Sequence, residues 1–185
     1  LSLKKNIKYL TLFTLSSENF YRISVNSIYQ IILNNFEEFI KELALKKKIN
    51  IKVIGRKENL PNKIIEIINK CEEITSSNND LFLNLAFNYG FKNEISDVIN
   101  KAIKSKEIID TKDELKLKKL FYLGNIPDPD LLIRTGGYKR LSNFILYNLS
   151  YTEIFFIDTL WPDFSEKEYD QIISQYYKIE RKYGL

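Results

Sequence analysis

Short apolar segments alternate with longer amphipathic segments along this chain of 185 residues, and no other feature constrains its fold as strongly. Segments rich in β-branched and aromatic residues, the usual composition of buried strands, occupy residues 7–15, 50–54, 81–90, 131–135 and 153–158. Strands that alternate with helices through short loops form a mostly parallel sheet flanked by helices. The sequence therefore predicts an α/β fold.

The intervening segments carry helical periodicity, most clearly from about Ser24 to Lys48. We predict further helices at 62–76, 92–105 and 112–121, a short one at 144–153, and a last one that ends near Lys182. Expected caps are Pro61, Gly184 and two capping boxes, Thr111-x-x-Glu114 and Ser165-x-x-Glu168. Because no repeat or linker is visible, we expect a single domain over 1–185.

The residue types that are missing exclude several kinds of chemistry. The chain has no histidine, which excludes Ser-His and Cys-His catalysis, histidine metal ligands and a histidine pH switch. Its one cysteine, Cys71, forms no internal disulfide, so a reduced cytoplasmic setting is expected. No methionine is present and Leu1 starts no signal peptide, so we expect an N-terminus that was lost.

The charge balance argues against a nucleic-acid partner. Lysine and arginine total 28 against 24 acids, a net charge of +4, and the lysines are scattered along predicted helices rather than gathered in a stripe. Arginine is scarce, and only arginine offers phosphate a rigid fork of donors. The arginines are Arg22, Arg56, Arg134, Arg140 and Arg181.

In open α/β sheets, ligands bind beyond the carboxyl ends of the strands. After the first predicted strand, Ser16–Arg22 gathers hydroxyls, an amide, an acid and a guanidinium just before a helix, where backbone N–H groups favour an anion. Plain helix capping is the alternative interpretation. After the fourth strand, Arg134–Asn143 combines two glycines with two arginines, a lysine and a serine. The alternative there is a solvated basic turn.

Together, the two segments indicate a site for two phosphorylated groups at one sheet edge. A P-loop lysine motif is absent, which argues against a nucleotide hydrolase. Glu153 begins the fifth predicted strand, as either a surface charge or a ligand for a hard metal. Beside diphosphates the expected metal is Mg²⁺.

Four motifs make the chain similar to a known family. They are SSENF-x-R at 16–22, LNLAFNYG at 83–90, DPDLLIRTGG-x-x-RLSNF at 128–144 and YTEIFF-x-D-x-LWPDF at 151–164. In order and spacing they resemble the cis-prenyltransferases, most closely the bacterial undecaprenyl diphosphate synthases. The resemblance implies a parallel-sheet domain with a hydrophobic tunnel, usually a homodimer.

The resemblance also implies a reaction. These enzymes join isopentenyl diphosphate to an allylic diphosphate, typically farnesyl diphosphate, with Mg²⁺, and form cis double bonds. The product would be the lipid carrier for cell-wall synthesis, and contact with the inner face of a membrane is an associated expectation.

Residue roles follow by motif match. Isopentenyl diphosphate would be held by Arg134, Arg140 and Ser142, and the remaining substrate-binding residues would be Ser16, Ser17, Glu18, Phe20, Arg22 and Leu141. Asn19 would lie at the catalytic centre and orient a diphosphate or a water, because a neutral amide is a poor base. Glu153 would be the Mg²⁺ ligand, near the dimer interface.

The chain departs from the family pattern in several places. The family's Asp-Gly-Asn-Gly-Arg segment, with its principal metal-binding aspartate, lies upstream of Leu1, which implies a truncated and inactive chain. Phe20 replaces a usual Trp, Phe91-Lys92 replaces Gly-Arg, and Lys182-Tyr183-Gly184 replaces Arg-x-Gly. Two alternatives stay open: a non-catalytic partner subunit of a cis-prenyltransferase, and a generic nucleotide-binding module.

Overall fold

The structure is a computed structural model that describes residues 1–20, 22, 25–46, 48–105 and 113–181. The chain divides into two compact units, residues 1–108 and residues 109–185. None of the described helices has the length and apolarity needed to cross a bilayer.

The first unit alternates strands and helices as predicted. A 3₁₀ turn at Ser2–Lys5 is followed by β1 (Tyr9–Ser16), α1 (Val25–Lys46), β2 (Ile49–Ile54), α2 (Asn62–Thr75), β3 (Leu81–Tyr89) and α3 (Phe91–Lys104). The boundaries of these three strands and three helices lie within two residues of their predictions, whereas the 3₁₀ turn was not predicted. Pro61 is the N-cap of α2, where its missing N–H costs no helical hydrogen bond.

The three strands form one parallel sheet in the order β1-β3-β2. Tyr9 pairs with Phe82, and Ile49 pairs with Leu81, so the amino ends of the strands are level. The register of β1 on β3 shifts between Phe13 and Ser16. Parallel pairing confirms the predicted topology and brings all three carboxyl ends to the same edge.

An apolar cluster joins α1 and α2 to the sheet. Tyr29 on α1 is buried against Ile64 and Ile68 on α2, and Val53 and Phe87 pack on them from the strands. Burial of each such side chain stabilises the fold by about 1.5–3 kcal/mol. The helical spacing predicted from the sequence therefore produces the core that fixes both helices.

A buried hydroxyl ties α2 to the amino-terminal half of β2. Thr75 is 0% exposed; its Oγ1 donates to the Cys71 carbonyl at 2.7 Å and accepts the Ile51 N–H at 3.0 Å. Cys71 is buried beside it, and burial, with a smaller effect of the Glu72 charge, raises the pKa of its thiol to about 11. The thiol is therefore protonated at neutral pH.

The second unit contains the remaining two strands. Its elements are α4 (Glu114–Lys118), β4 (Leu131–Arg134), β5 (Glu153–Phe156), α5 (Glu166–Tyr176) and 3₁₀ turns at Leu146–Leu149 and Trp161–Asp163. β4 and β5 pair in parallel, with Leu131 opposite Glu153 and Arg134 opposite Phe156. Among the described residues, this pair and the three-stranded sheet are the two sheets of the chain.

Three helix predictions need correction in this unit. α4 is shorter than 112–121; its N-cap is Asp113, which accepts the N–H groups of Leu115 and Lys116, and Thr111 lies outside the described residues. The segment 144–153 forms only a 3₁₀ turn, because Ile145 has a φ of 29° and interrupts any regular helix there.

The last helix was predicted too long. Its capping box of Ser165 and Glu168 is confirmed, but α5 ends at Tyr176 rather than near Lys182. Beyond it the chain turns so that Arg181 donates to the Tyr151 carbonyl at 2.9 Å and pairs with Asp130. Lys182 and the expected cap Gly184 lie outside the described residues.

Substitution of Gly55 should destabilise the first unit strongly. Gly55 has a φ of 124°, and a Cβ there would lie 2.1 Å from the Phe87 carbonyl oxygen. We expect Gly55→Ala to lower the free energy of unfolding by about 3 kcal/mol, from backbone strain and the clash together. Urea unfolding followed by circular dichroism measures this loss.

The matched control is Gly136→Ala. Gly136 also has a positive φ, 88°, but its added Cβ meets nothing closer than a Leu160 methyl group at 3.8 Å. It should cost about 1 kcal/mol from strain alone. Equal losses in the two variants would contradict the close approach of β2 and β3 at Gly55.

Candidate functional site

A tight turn follows β1 and carries the first group of predicted site residues. The Asn19 N–H donates to the Ser16 carbonyl at 3.1 Å and to Ser16 Oγ at 3.3 Å, and the Arg22 N–H donates to the Asn19 carbonyl at 3.1 Å. The Ser17 N–H donates to the Tyr89 carbonyl at 2.8 Å, which fastens the turn to the end of β3. The backbone of this turn is therefore held at both ends.

The side chains of the turn divide into two faces. Glu18 and Arg22 are exposed, whereas Ser16, Ser17 and Asn19 are half-buried. Phe20 packs against the apolar cluster of α1 and α2. The structure thus brings together all six predicted residues of this segment, with hydroxyls, an amide and a guanidinium available to an anion.

Arg56, at the end of β2, has a structural partner instead of a ligand. Its guanidinium donates to Asp97 through Nη2 at 2.8 Å and through Nε at 3.1 Å, and to the Asn93 carbonyl at 3.2 Å. Asn88 exchanges two further hydrogen bonds with the Arg56 backbone, at 2.9 and 3.2 Å. This arginine holds α3 to the loop after β2.

The loop after β4 carries the second group of predicted residues. Gly136 and Gly137 have φ of 88° and 76°, and their N–H groups donate to the carbonyls of Thr159 and Ile157, both at 2.9 Å. These bonds lay the loop over the segment that follows β5. Only glycine adopts two successive positive φ values without strain, which accounts for the glycine pair.

The tip of this loop is cationic and conformationally strained. Arg140 is exposed, and its guanidinium carbon lies 4.2 Å from the centre of the Tyr138 ring, an attractive cation–π contact. Ser142 and Asn143 have φ of 51° and 65°, values that non-glycine residues rarely adopt. Leu141 is half-buried and its carbonyl accepts the Phe144 N–H. Such strain is concentrated at functional sites.

Arg134 carries an unsatisfied donor at the base of the loop. Its Nε is buried and has no hydrogen-bond partner among the described residues. A buried donor left unpaired costs about 1–3 kcal/mol, and more when it is charged. An anion beside Arg134 would remove that cost, so this atom is the clearest sign of a phosphate site in the second unit.

Glu153 lies at the other end of this strand pair. It is half-buried, faces Leu131 in the register, and its N–H donates to the Asp130 carbonyl at 3.0 Å. Three residues of parallel strand separate it from the level of Arg134, about 10 Å at 3.3 Å per residue. The described residues contain no cluster of three acids or cysteines. Glu153 therefore suits Mg²⁺ only together with oxygens from a ligand.

Sequence reasoning missed Glu94, although the chain holds a signal for it. Glu94 is in the first turn of α3 and only 3% exposed, with the buried Val98 one turn later. An acid at a core-facing position of a helical pattern is rarely a surface charge. The hydroxyl of Tyr89 donates a hydrogen bond to its carboxyl group.

Comparison with known proteins identifies the family to which the chain belongs. The family model described as "Putative undecaprenyl diphosphate synthase" matches residues 1–184. An isoprenyl transferase of Fusobacterium nucleatum is 42% identical over 181 residues, which cover 96% of this chain and 76% of that protein. A tritrans,polycis-undecaprenyl-diphosphate synthase (geranylgeranyl-diphosphate specific) of Thermoplasma volcanium is 39% identical over 97% of this chain and 72% of its own length.

A solved structure shares the fold. Lavandulyl diphosphate synthase from Lavandula x intermedia, in complex with dimethylallyl diphosphate, superposes with a TM-score of 0.90 at 30% identity. The superposition covers 100% of this chain and 82% of that one. Fold, motifs and relatives therefore agree: this chain belongs to the undecaprenyl diphosphate synthase family of cis-prenyltransferases.

Proposed function

We propose that this protein condenses isopentenyl diphosphate units onto an allylic diphosphate, with farnesyl diphosphate as the acceptor, and makes a cis-polyprenyl diphosphate. The observation that carries the proposal is the buried, unpaired Nε of Arg134 at the base of a cationic glycine loop. The product would serve as the lipid carrier for cell-wall synthesis, as the resemblance to bacterial enzymes implies.

The reaction makes one carbon–carbon bond in each cycle. The C1–O bond of the allylic diphosphate breaks and diphosphate leaves with the electron pair. The terminal C4 of the isopentenyl unit attacks C1, and a proton is lost from its C2, which leaves a cis double bond. The protein's task is to hold two diphosphates, orient two carbon chains and exclude water from the carbocation.

In this proposal the second unit binds isopentenyl diphosphate. Arg134 and Arg140 supply guanidinium donors, Ser142 supplies a hydroxyl, and Leu141 contacts the ligand from the same loop. Support comes from the half-buried positions of Leu141 and Ser142, and from the exposed guanidinium of Arg140. Charge-assisted bonds of this kind contribute about 1.5–3 kcal/mol each.

The turn after β1 would hold the allylic diphosphate. Asn19 is half-buried within a turn fixed by three backbone hydrogen bonds, so its amide is presented with little freedom. An amide donates and accepts but does not take a proton at neutral pH, which fits orientation of a diphosphate or a water. Ser16, Ser17, Glu18 and Arg22 surround it, and Phe20 leads into the apolar cluster beside α1.

Mg²⁺ is the metal that fits this donor set. Glu153 would hold it with diphosphate oxygens, since Mg²⁺ is commonly bound through one or two carboxylates and substrate phosphates. Bound there, it supplies charge neutralisation for the diphosphate.

A homodimer completes the proposal. β5 presents Ile154 and Phe156 on one face, 36% and 40% exposed, and the following turn exposes Leu160 and Trp161. Apolar side chains exposed in this number are typical of an interface. Sedimentation velocity measures the oligomeric state.

The growing polyprenyl chain is itself apolar, so peripheral contact of the protein with a membrane is part of the same proposal. Flotation with lipid vesicles tests this contact.

The function is tested with purified full-length protein, radiolabelled isopentenyl diphosphate and three acceptors: dimethylallyl, farnesyl and geranylgeranyl diphosphate. We expect Mg²⁺-dependent polyprenyl product with the highest kcat/KM for farnesyl diphosphate. The acceptor named for the Thermoplasma relative makes geranylgeranyl diphosphate the informative competitor. A higher kcat/KM for geranylgeranyl diphosphate would replace farnesyl diphosphate as the proposed acceptor. Absence of product with all three acceptors would contradict the proposed function.

Loss of Arg140 should weaken isopentenyl diphosphate binding. Arg140→Ala removes at least one charge-assisted bond, so we expect KM for isopentenyl diphosphate to rise about ten- to hundredfold. Arg140→Lys should give a smaller rise, because lysine keeps the charge but not the fork. Lys167→Ala, a charge loss on the exposed surface of α5, is the matched control and should leave KM unchanged. Equal effects of Arg140→Ala and Lys167→Ala would mean that Arg140 acts only through its positive charge and makes no specific contact with the diphosphate.

Replacement of Glu153 should change the metal requirement. We expect Glu153→Gln to raise the Mg²⁺ concentration for half-maximal activity about tenfold, since a charged ligand is exchanged for a neutral one. The measurement is a Mg²⁺ titration at fixed substrate concentrations. Glu166→Gln, an exposed acid of the same unit, is the control. An unchanged titration of Glu153→Gln would remove this residue from the metal site.

A further inference from the structure

The end of β3 contains a buried polar pair that the proposed chemistry does not use. Tyr89 is 1% exposed and is among the largest fully buried side chains. Its hydroxyl donates a hydrogen bond to the carboxyl group of Glu94, which is 3% exposed. Its ring meets Phe13 edge to face, with centroids 6.0 Å apart. Tyr89 is thus fixed from β1 and from α3.

The same residue holds the turn that carries Asn19. The Tyr89 carbonyl accepts the Ser17 N–H at 2.8 Å, immediately after β1 ends. The register between β1 and β3 shifts between Phe13 and Ser16, and pairing resumes with Ser16 opposite Tyr89, so this last pair sets the height of the turn. That height therefore depends on where the last residue of β3 lies.

A polar pair is an expensive way to fill this space. Phenylalanine and leucine would occupy similar volume without burying a hydroxyl and a carboxyl group, and such replacements often stabilise proteins. What the pair adds is direction, because a hydrogen bond fixes the angle and depth of the Tyr89 ring more narrowly than apolar contact does. Glu94 is suited to the role since the amino end of α3 favours a carboxylate in its first turn.

We propose that Tyr89 and Glu94 are positioning residues that set the height of the Ser16–Phe20 turn, and with it the placement of Asn19. The proposal rests on the proposed function for its kinetic consequence, but not for its structural one. Neither residue contacts substrate in this scheme. Their loss should therefore slow turnover and leave the binding of isopentenyl diphosphate, which the second unit supplies, nearly unchanged.

The test compares Tyr89→Phe, Glu94→Gln and a matched control. Thr75→Val also removes one buried hydroxyl from the first unit, but beside Ile51 in the amino-terminal half of β2 rather than at the carboxyl ends of the strands. We expect Tyr89→Phe to lower kcat about tenfold with KM for isopentenyl diphosphate within about twofold. Glu94→Gln keeps an acceptor for the Tyr89 hydroxyl, so this variant should retain most of the wild-type kcat. Thr75→Val should destabilise the fold without changing kcat.

Hydrogen–deuterium exchange of a peptide that covers residues 16–20 gives a second readout that needs no activity. The Ser17 amide should exchange about tenfold faster in Tyr89→Phe than in Thr75→Val. Equal exchange, or an equal fall of kcat in the two variants, would show a merely structural role and overturn the proposal. If the wild type makes no product with any acceptor, the proposed function fails, while the exchange comparison still decides the positioning role.

Discussion

The carboxyl-terminal edge of the first unit depends on the last two residues of β3. Asn88, in a left-handed conformation with a φ of 49°, exchanges hydrogen bonds with the backbone of Arg56, while the Tyr89 carbonyl takes the Ser17 N–H. One dipeptide thereby joins the loops that follow β1 and β2. Because parallel strands give no hydrogen bonds beyond their ends, these contacts decide where the site residues of this unit lie.

In the second unit, the loop after β4 is characterised instead by backbone strain and by an unpaired hydrogen-bond donor. Its loop combines two glycines with three non-glycine residues at positive φ, and it begins at an arginine whose Nε is buried without a partner among the described residues. Each strained residue costs about 1–3 kcal/mol. In the proposed function, a loop built in this way would lose little further entropy when a diphosphate binds, so binding energy would remain for orientation.

The elements with strong periodicity were predictable, and the residues whose roles depend on distant contacts were not. α1 and β3 match the sequence because their apolar spacing is set locally. The 144–153 segment does not, since the φ of Ile145 is imposed by its loop. Motifs marked Arg134 and Arg140, but the structural use of Arg56 required Asp97, which is 41 residues away. Glu94 was not predicted for a different reason: its partner Tyr89 is near in sequence, but only the burial of both side chains makes them a pair.

The burial of Cys71 protects its thiol from oxidation. With its pKa near 11, the thiol holds almost no thiolate at neutral pH, and thiolate is the form that oxidants and electrophiles attack. The chain's one sulfur atom is therefore chemically silent while the first unit is folded. Oxidation of Cys71 therefore requires that α2 first open, so an oxidised Cys71 identifies a molecule in which α2 has opened.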